Sequence, residues 1–276
     1  MRRLVLILGS LAAALVAAVL LLPWWLGAAL TSIGPSFGLT FGNYARQGYS
    51  RFRVETVEIR RAAVTVKIAT IEADTPSVWL WRRVSGNPGA ISAGAWSVDV
   101  RPAQSERVTG EPRGWVPLRK KLEMVADRLA YWLPRASAGP GTVDWPGGGL
   151  AFASVGWENR VLTSSEVKFR ALKAAVHLSA PHGQEWRVAA STPDGLGGAE
   201  LSTEGAAVHG TAKWWGQSAD VSARFAAQGW LPTEASLRSK AWDITGENAK
   251  LGGHYAHIRG DARLDWREGN LTADVD

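Results

Sequence analysis

The chain of 276 residues has no cysteine, which excludes disulfide staples, thiolate metal sites and cysteine nucleophiles together. It has no block of like charge either. The formal net charge is +6, but Arg and Lys are scattered among Asp and Glu, as in Arg259, Asp261, Arg263, Asp265 and Arg267. That dispersion lacks the basic footprint that tracks phosphates and argues against a nucleic-acid partner. Catalytic motifs are missing as well. Gly147-Gly148-Gly149 and Gly195-Leu196-Gly197-Gly198 lack the lysine and following helix of a phosphate cradle. No Gly-x-Ser-x-Gly elbow occurs. Of the five histidines, His254 and His257 sit in a Gly-rich, strand-like stretch without accompanying carboxylates, so no metal is expected. His177 and His209 alternate with apolar neighbours and are expected to face solvent, and His182 belongs to a turn. Neither a catalytic residue nor a cofactor is predicted.

Long apolar runs are absent except at the start. Met1, Arg2 and Arg3 precede an apolar stretch from Leu4 to Leu22, closed by Pro23, Trp24 and Trp25. As a helix this run would be about 28 Å long, near the hydrocarbon thickness of a bilayer. Paired indoles suit the headgroup level, and the flanking arginines keep the N-terminus cytoplasmic. The competing reading is a cleaved signal peptide, whose apolar region is shorter and ends at a small-x-small site. The uncleaved anchor is favoured. Both readings export the remainder.

What the chain has in quantity is alternation. From about Phe52 the hydrophobic period is two. Val64, Val66 and Ile68 share one face, as do Trp96 and Val98, Val176 and Leu178, Trp186 and Val188, Val221 and Phe225, and Leu264 and Trp266. Polar residues separate each pair, so every segment predicts a strand with one apolar and one wet side. Turn signals at Ser85–Gly89, Ala180–Gly183, Thr192–Gly195 and Glu268–Asn270 space them as an antiparallel meander. Between Pro117 and Pro134 the period becomes helical: Leu118, Leu122, Val125, Leu129, Trp132 and Leu133 form an apolar stripe. This amphipathic helix is expected to cover an apolar sheet face or plug its end; the alternative is a helix lying on a membrane surface. Its flanks, 104–114 and 137–149, read as loops.

The predicted fold is therefore mainly β: an N-terminal transmembrane helix, then a long, curved antiparallel sheet with one amphipathic helix. The divisions are 1–30 for the anchor and interface, 31–103 for a first β segment, 104–149 for loop and helix, and 150–276 for further sheet. Alternation runs to the last residue, which predicts continuation of the sheet in a longer parent chain.

The layout is similar to that of a known family. An Arg-flanked anchor precedes Val57-Glu58-Ile59, Val64-Thr65-Val66-Lys67-Ile68 and Ile71; then come Pro76-Ser77-Val78-Trp79-Leu80-Trp81 and a helix closing on Leu133-Pro134. This resembles the start of the bacterial AsmA-like and TamB-like proteins, the repeating-β-groove or bridge-like lipid-transfer superfamily. The resemblance implies an inner-membrane anchor and a periplasmic open β-groove. It also implies phospholipid movement between inner and outer membranes, with an outer-membrane protein or lipoprotein partner at the sheet end. The thirteen residues from Val64 to Trp266 named above for their shared faces are the candidate groove lining. Two other classes stay open: an anchored assembly module acting through protein contacts at a sheet edge, and, with least support, an exported hydrolase.

Overall fold

A computed structural model describes residues 17, 27–28, 31–32, 34–61, 63–87, 89–101, 114–245 and 257–276. The run Leu4–Leu22, apart from Ala17, lies outside the described residues, as does His254. Among the described residues no helix is long and apolar enough to cross a membrane. The chain divides into two compact units, Met1–Gln104 with Leu133–Val155, and Ser105–Trp132 with Gly156–Asp276. Both are mainly β.

The first unit is built on two long strands, β3 (Arg51–Arg61) and β4 (Val64–Asp74), paired antiparallel. Beyond β3 lie β1 (Leu39–Thr40) and β2 (Asn43–Gln47). Beyond β4 lie β5 (Ala90–Ala93) and β6 (Trp96–Val100). Next come β7 (Arg135–Ala138), β8 (Gly141–Trp145) and β9 (Gly148–Phe152). Here three sequence expectations are corrected. β5 pairs with β7 and β6 with β8 in parallel, so the sheet is mixed rather than antiparallel. A parallel pair needs a long crossover, and residues 101–134 supply it. Residues 137–149, expected as loop, carry strands, because their glycines make room for neighbouring side chains. A Cβ on Gly141 would fall 2.1 Å from the Trp96 ring. Finally, after the segment expected as the anchor, two α-helices stand among the described residues where one was expected, besides a 3-10 turn at Gly34–Phe37. The second is the short α1 (Pro76–Val84), with Thr75 at its N-cap, Pro76 in its first turn and Arg82 and Arg83 in its last. Nine residues are too few for helical periodicity to stand out.

Breaks in the first unit fall in register. Gly42 donates to the Glu55 carbonyl, Ala69 to Ala95, and Gly139 to Ala93, while Thr56 interrupts β3 at φ +53° without a change of register. Bulges and breaks bend a strand and increase its twist.

The second unit is an antiparallel meander running from β10 (Val155–Glu158) through β11 (Val161–Phe169), β12 (Leu172–Ser179), β13 (Trp186–Ser191) and β14 (Gly198–Glu204). It continues through β15 (Ala207–Trp214), β16 (Gln217–Phe225), β17 (Pro232–Thr245), β18 (His257–Arg267) and β19 (Asn270–Val275). Each strand pairs with the next. Two-residue turns such as Trp215-Gly216 and Glu268-Gly269 hold positive φ at both positions, the geometry that suits the right-handed strand twist. The helix α2 (Trp115–Trp132) runs along the row of turns at one end of these strands.

Candidate functional site: one apolar face

Cross-strand register turns the sequence alternation into continuous rows. In the second unit, Trp157, Leu162, Leu178, Val188, Leu201, Gly210, Val221, Leu237, Leu264 and Ala273 follow one another from β10 to β19. At the usual strand spacing this row extends about 43 Å. A parallel row holds Trp186, Thr203, Val208, Ala223, Ala235, Trp266 and Leu271. On the other side runs a lane of small residues: Val176, Ala190, Ala199, Ala212 and Ala219. Paired residues project to the same face. Seven of the eight candidates of this unit, Val176, Leu178, Trp186, Val188, Val221, Leu264 and Trp266, therefore share one side of the sheet; Phe225 follows a register shift at Arg224.

The first unit repeats the arrangement on a smaller scale. Leu39, Ile59, Val66, Val98, Val143 and Leu150 form one row. Val57, Ile68, Trp96, Gly141 and Phe152 form the next, and Val64 pairs with Val100. The Trp96 and Phe152 ring centroids are 5.4 Å apart, and the Trp96 indole N–H donates to the Gly139 carbonyl at 2.9 Å. A cleft of about 460 Å³ is lined by Val57, Ile68 and Trp96 with the break residues Thr56, Ala69 and Ala95, and reaches Glu58, Lys67 and Ser97. Sequence reasoning found Ile68 and Trp96. It missed Val57, whose strand phase changes at Thr56.

These rows are half-covered rather than sealed. Of the thirteen candidates only Trp186 is buried; Leu264 is 38 % exposed and the others lie between. Among the described residues the fully packed apolar side chains are few: Val54, Val57, Ala73, Ala126, Ala180 and Trp186. The strands of the second unit follow one another in a single continuous sheet.

The opposite face is wet and charge-balanced. Glu58 takes Arg60 and Lys67, Asp99 takes Arg101, and Asp265 takes Arg263. Hydrogen bonding from Arg60 holds the Glu58 carboxyl below the usual range. One cluster here was not foreseen: Ser202, His209 and Glu185. The Ser202 Oγ lies 2.9 Å from His209 Nε2, and Glu185 Oε1 lies 3.0 Å from the same nitrogen. A serine–histidine–acid relay needs serine and acid on opposite ring nitrogens, so this cluster is not arranged as one. His177 and His209 are exposed on strands, and His182 lies in a turn, as expected.

The helix α2 departs from expectation in its orientation. Trp115 donates its N–H to the Gly229 carbonyl and stacks near Phe225, centroids 5.8 Å apart. Arg119 donates to the carbonyls of Gly205 (3.0 Å) and Gln184 (3.5 Å) and sits over the Trp186 ring. Glu123 accepts the Gly183 N–H at 3.3 Å, and Asp127 pairs with Arg160 and with His182. The helix thus plugs the strand ends with its polar side. Of the stripe expected to meet the sheet, Leu122, Val125, Leu129 and Trp132 are 38 to 55 % exposed, while Leu118 and Leu133 are half-buried.

Comparison of the chain with family models, with characterised proteins and with solved structures gives no match.

Proposed function

We propose that the protein is a membrane-anchored, periplasmic β-groove that carries phospholipid acyl chains along its apolar face, between the inner and outer membranes. The observation that supports this reading is the ten-strand apolar row, half-covered among the described residues. A one-sided sheet must cover its apolar face with something. Acyl chains fit that role, since each buried methylene contributes about 0.8 kcal/mol, while headgroups remain in water. The apolar stretch Leu4–Leu22 supplies the anchor, with the N-terminus cytoplasmic and the bulk of the chain exported.

The test is extraction of the full-length protein, purified in mild detergent and exchanged into a lipid-free polymer, followed by mass spectrometry. Phospholipid is expected at a fixed ratio to protein. Val188→Asp and Val66→Asp should lose it while the circular dichroism spectrum is retained. A lipid-free preparation that is already fully folded would overturn the reading.

One observation favours a second reading. Among the described residues β19 pairs only with β18, so its outer edge can accept a strand from a partner protein. An assembly module of this kind would contain no lipid.

A further inference from the structure

The orientation of α2 separates its charges. Both of its carboxylates, Glu123 and Asp127, are engaged by the strand turns, and so is Arg119. Lys120, Lys121 and Arg128 are exposed. They accompany an exposed apolar stripe of Leu122, Val125, Leu129 and Trp132, with Met124 at 54 % exposure. The loop that receives the first turn of the helix at Gly229 adds Trp230 and Leu231, 60 % and 71 % exposed. An amphipathic helix ordinarily turns its apolar stripe to the protein and its charges to water. Here both carboxylates bond to the protein, Asp127 staying partly exposed, and the other exposed side chains of the helix are apolar, aromatic or cationic.

We infer that α2 is an interfacial helix that seats this end of the sheet on an anionic phospholipid bilayer. The apolar stripe enters the headgroup boundary, Trp132 sits at the depth indoles prefer, and the three cations meet lipid phosphates. Charge complementarity selects a membrane over a protein groove: the exposed side chains of the helix pair apolar groups with positive charge, and both of its carboxylates are already bonded to the strand turns. The inference does not depend on lipid occupying the sheet's apolar face.

The absence of cysteine makes the test direct. An environment-sensitive fluorophore is attached to Leu129→Cys or to Thr211→Cys, an exposed position on the wet face, in the full chain. The protein is reconstituted in phosphatidylcholine vesicles with or without phosphatidylglycerol, and spin-labelled lipid serves as quencher. The Leu129 label is expected to be quenched in anionic vesicles only, and the Thr211 label in neither. Reversing Lys120, Lys121 and Arg128 to Glu should weaken seating by about fivefold or more per charge and abolish the quenching, with helicity unchanged. A Leu129 label that stays unquenched in anionic vesicles, or is quenched equally in neutral ones, overturns the inference. Lipid extracted from the same preparations reads the groove separately: the charge reversals should leave it unchanged, and its absence would count against the groove alone.

Discussion

Trp96 donates its indole N–H to Gly139 and occupies the space above Gly141, with Phe152 against its ring. It lines the apolar face and also fixes the pairing of β6 with β8. Gly141→Ala should therefore destabilise the first unit by about 1–3 kcal/mol through overpacking. Trp96→Phe keeps the aromatic contact but loses one hydrogen bond, a cost of about 1 kcal/mol. Denaturant unfolding checks both. On the wet face, the hydrogen bond from Ser202, together with His209 and Arg187, holds the Glu185 carboxyl below its ordinary value, with desolvation opposing. A carboxyl lowered in the folded state stabilises it above the unfolded value, and that contribution is lost as pH falls through the folded value. Melting temperature should thus drop on acidification below the ordinary carboxylate range. Glu185→Gln should flatten that dependence while leaving the neutral-pH dichroism spectrum unchanged.

At the scale of elements, α2 is held by few but directional contacts. Arg160 is 12 % exposed in its side chain and depends on Asp127, itself 38 % exposed. Asp127→Ala leaves that guanidinium without its carboxylate partner. The expected cost is about 1–3 kcal/mol, less than for a fully buried pair because water reaches Asp127. Faster hydrogen exchange in residues 115–132 would show the helix loosening while the strands stay protected. The helix itself was legible in the sequence: Pro117 and the Leu118–Trp132 spacing placed it, within two residues at either end. Its facing was not, because periodicity identifies an apolar stripe but not which side finds backbone acceptors at the row of turns. Strands such as Val64–Asp74 and Gln217–Phe225 were legible for the converse reason, since alternation and face are the same information in a sheet. The strands between Arg135 and Phe152 were hidden by glycines, whose role depends on partners such as Trp96, distant in sequence.

For the molecule as a whole, the central question is what covers rows of half-exposed Leu, Val and Trp extending across ten strands. A sheet with few fully buried apolar side chains among the described residues gains more from a bound apolar ligand than a sealed sandwich does. Ligand binding to the folded state adds RT ln(1 + [L]/Kd), about 2.7 kcal/mol at a hundredfold excess over Kd. For a chain of this size that corresponds to a rise in melting temperature of roughly 5–10 °C. Delipidated protein should therefore melt lower than the lipid-loaded form and recover on addition of short-chain phospholipid. Filling the lane of small residues should uncouple the two: Ala199→Trp would remove the lipid-dependent shift. It would leave the lipid-free melting temperature within a few degrees, since a half-open face accommodates bulk that a packed core rejects. Calorimetry of the full chain with and without lipid reads both effects. A melting temperature indifferent to lipid, or a collapse of folding in Ala199→Trp, would mean that protein already covers the face, as an assembly module requires.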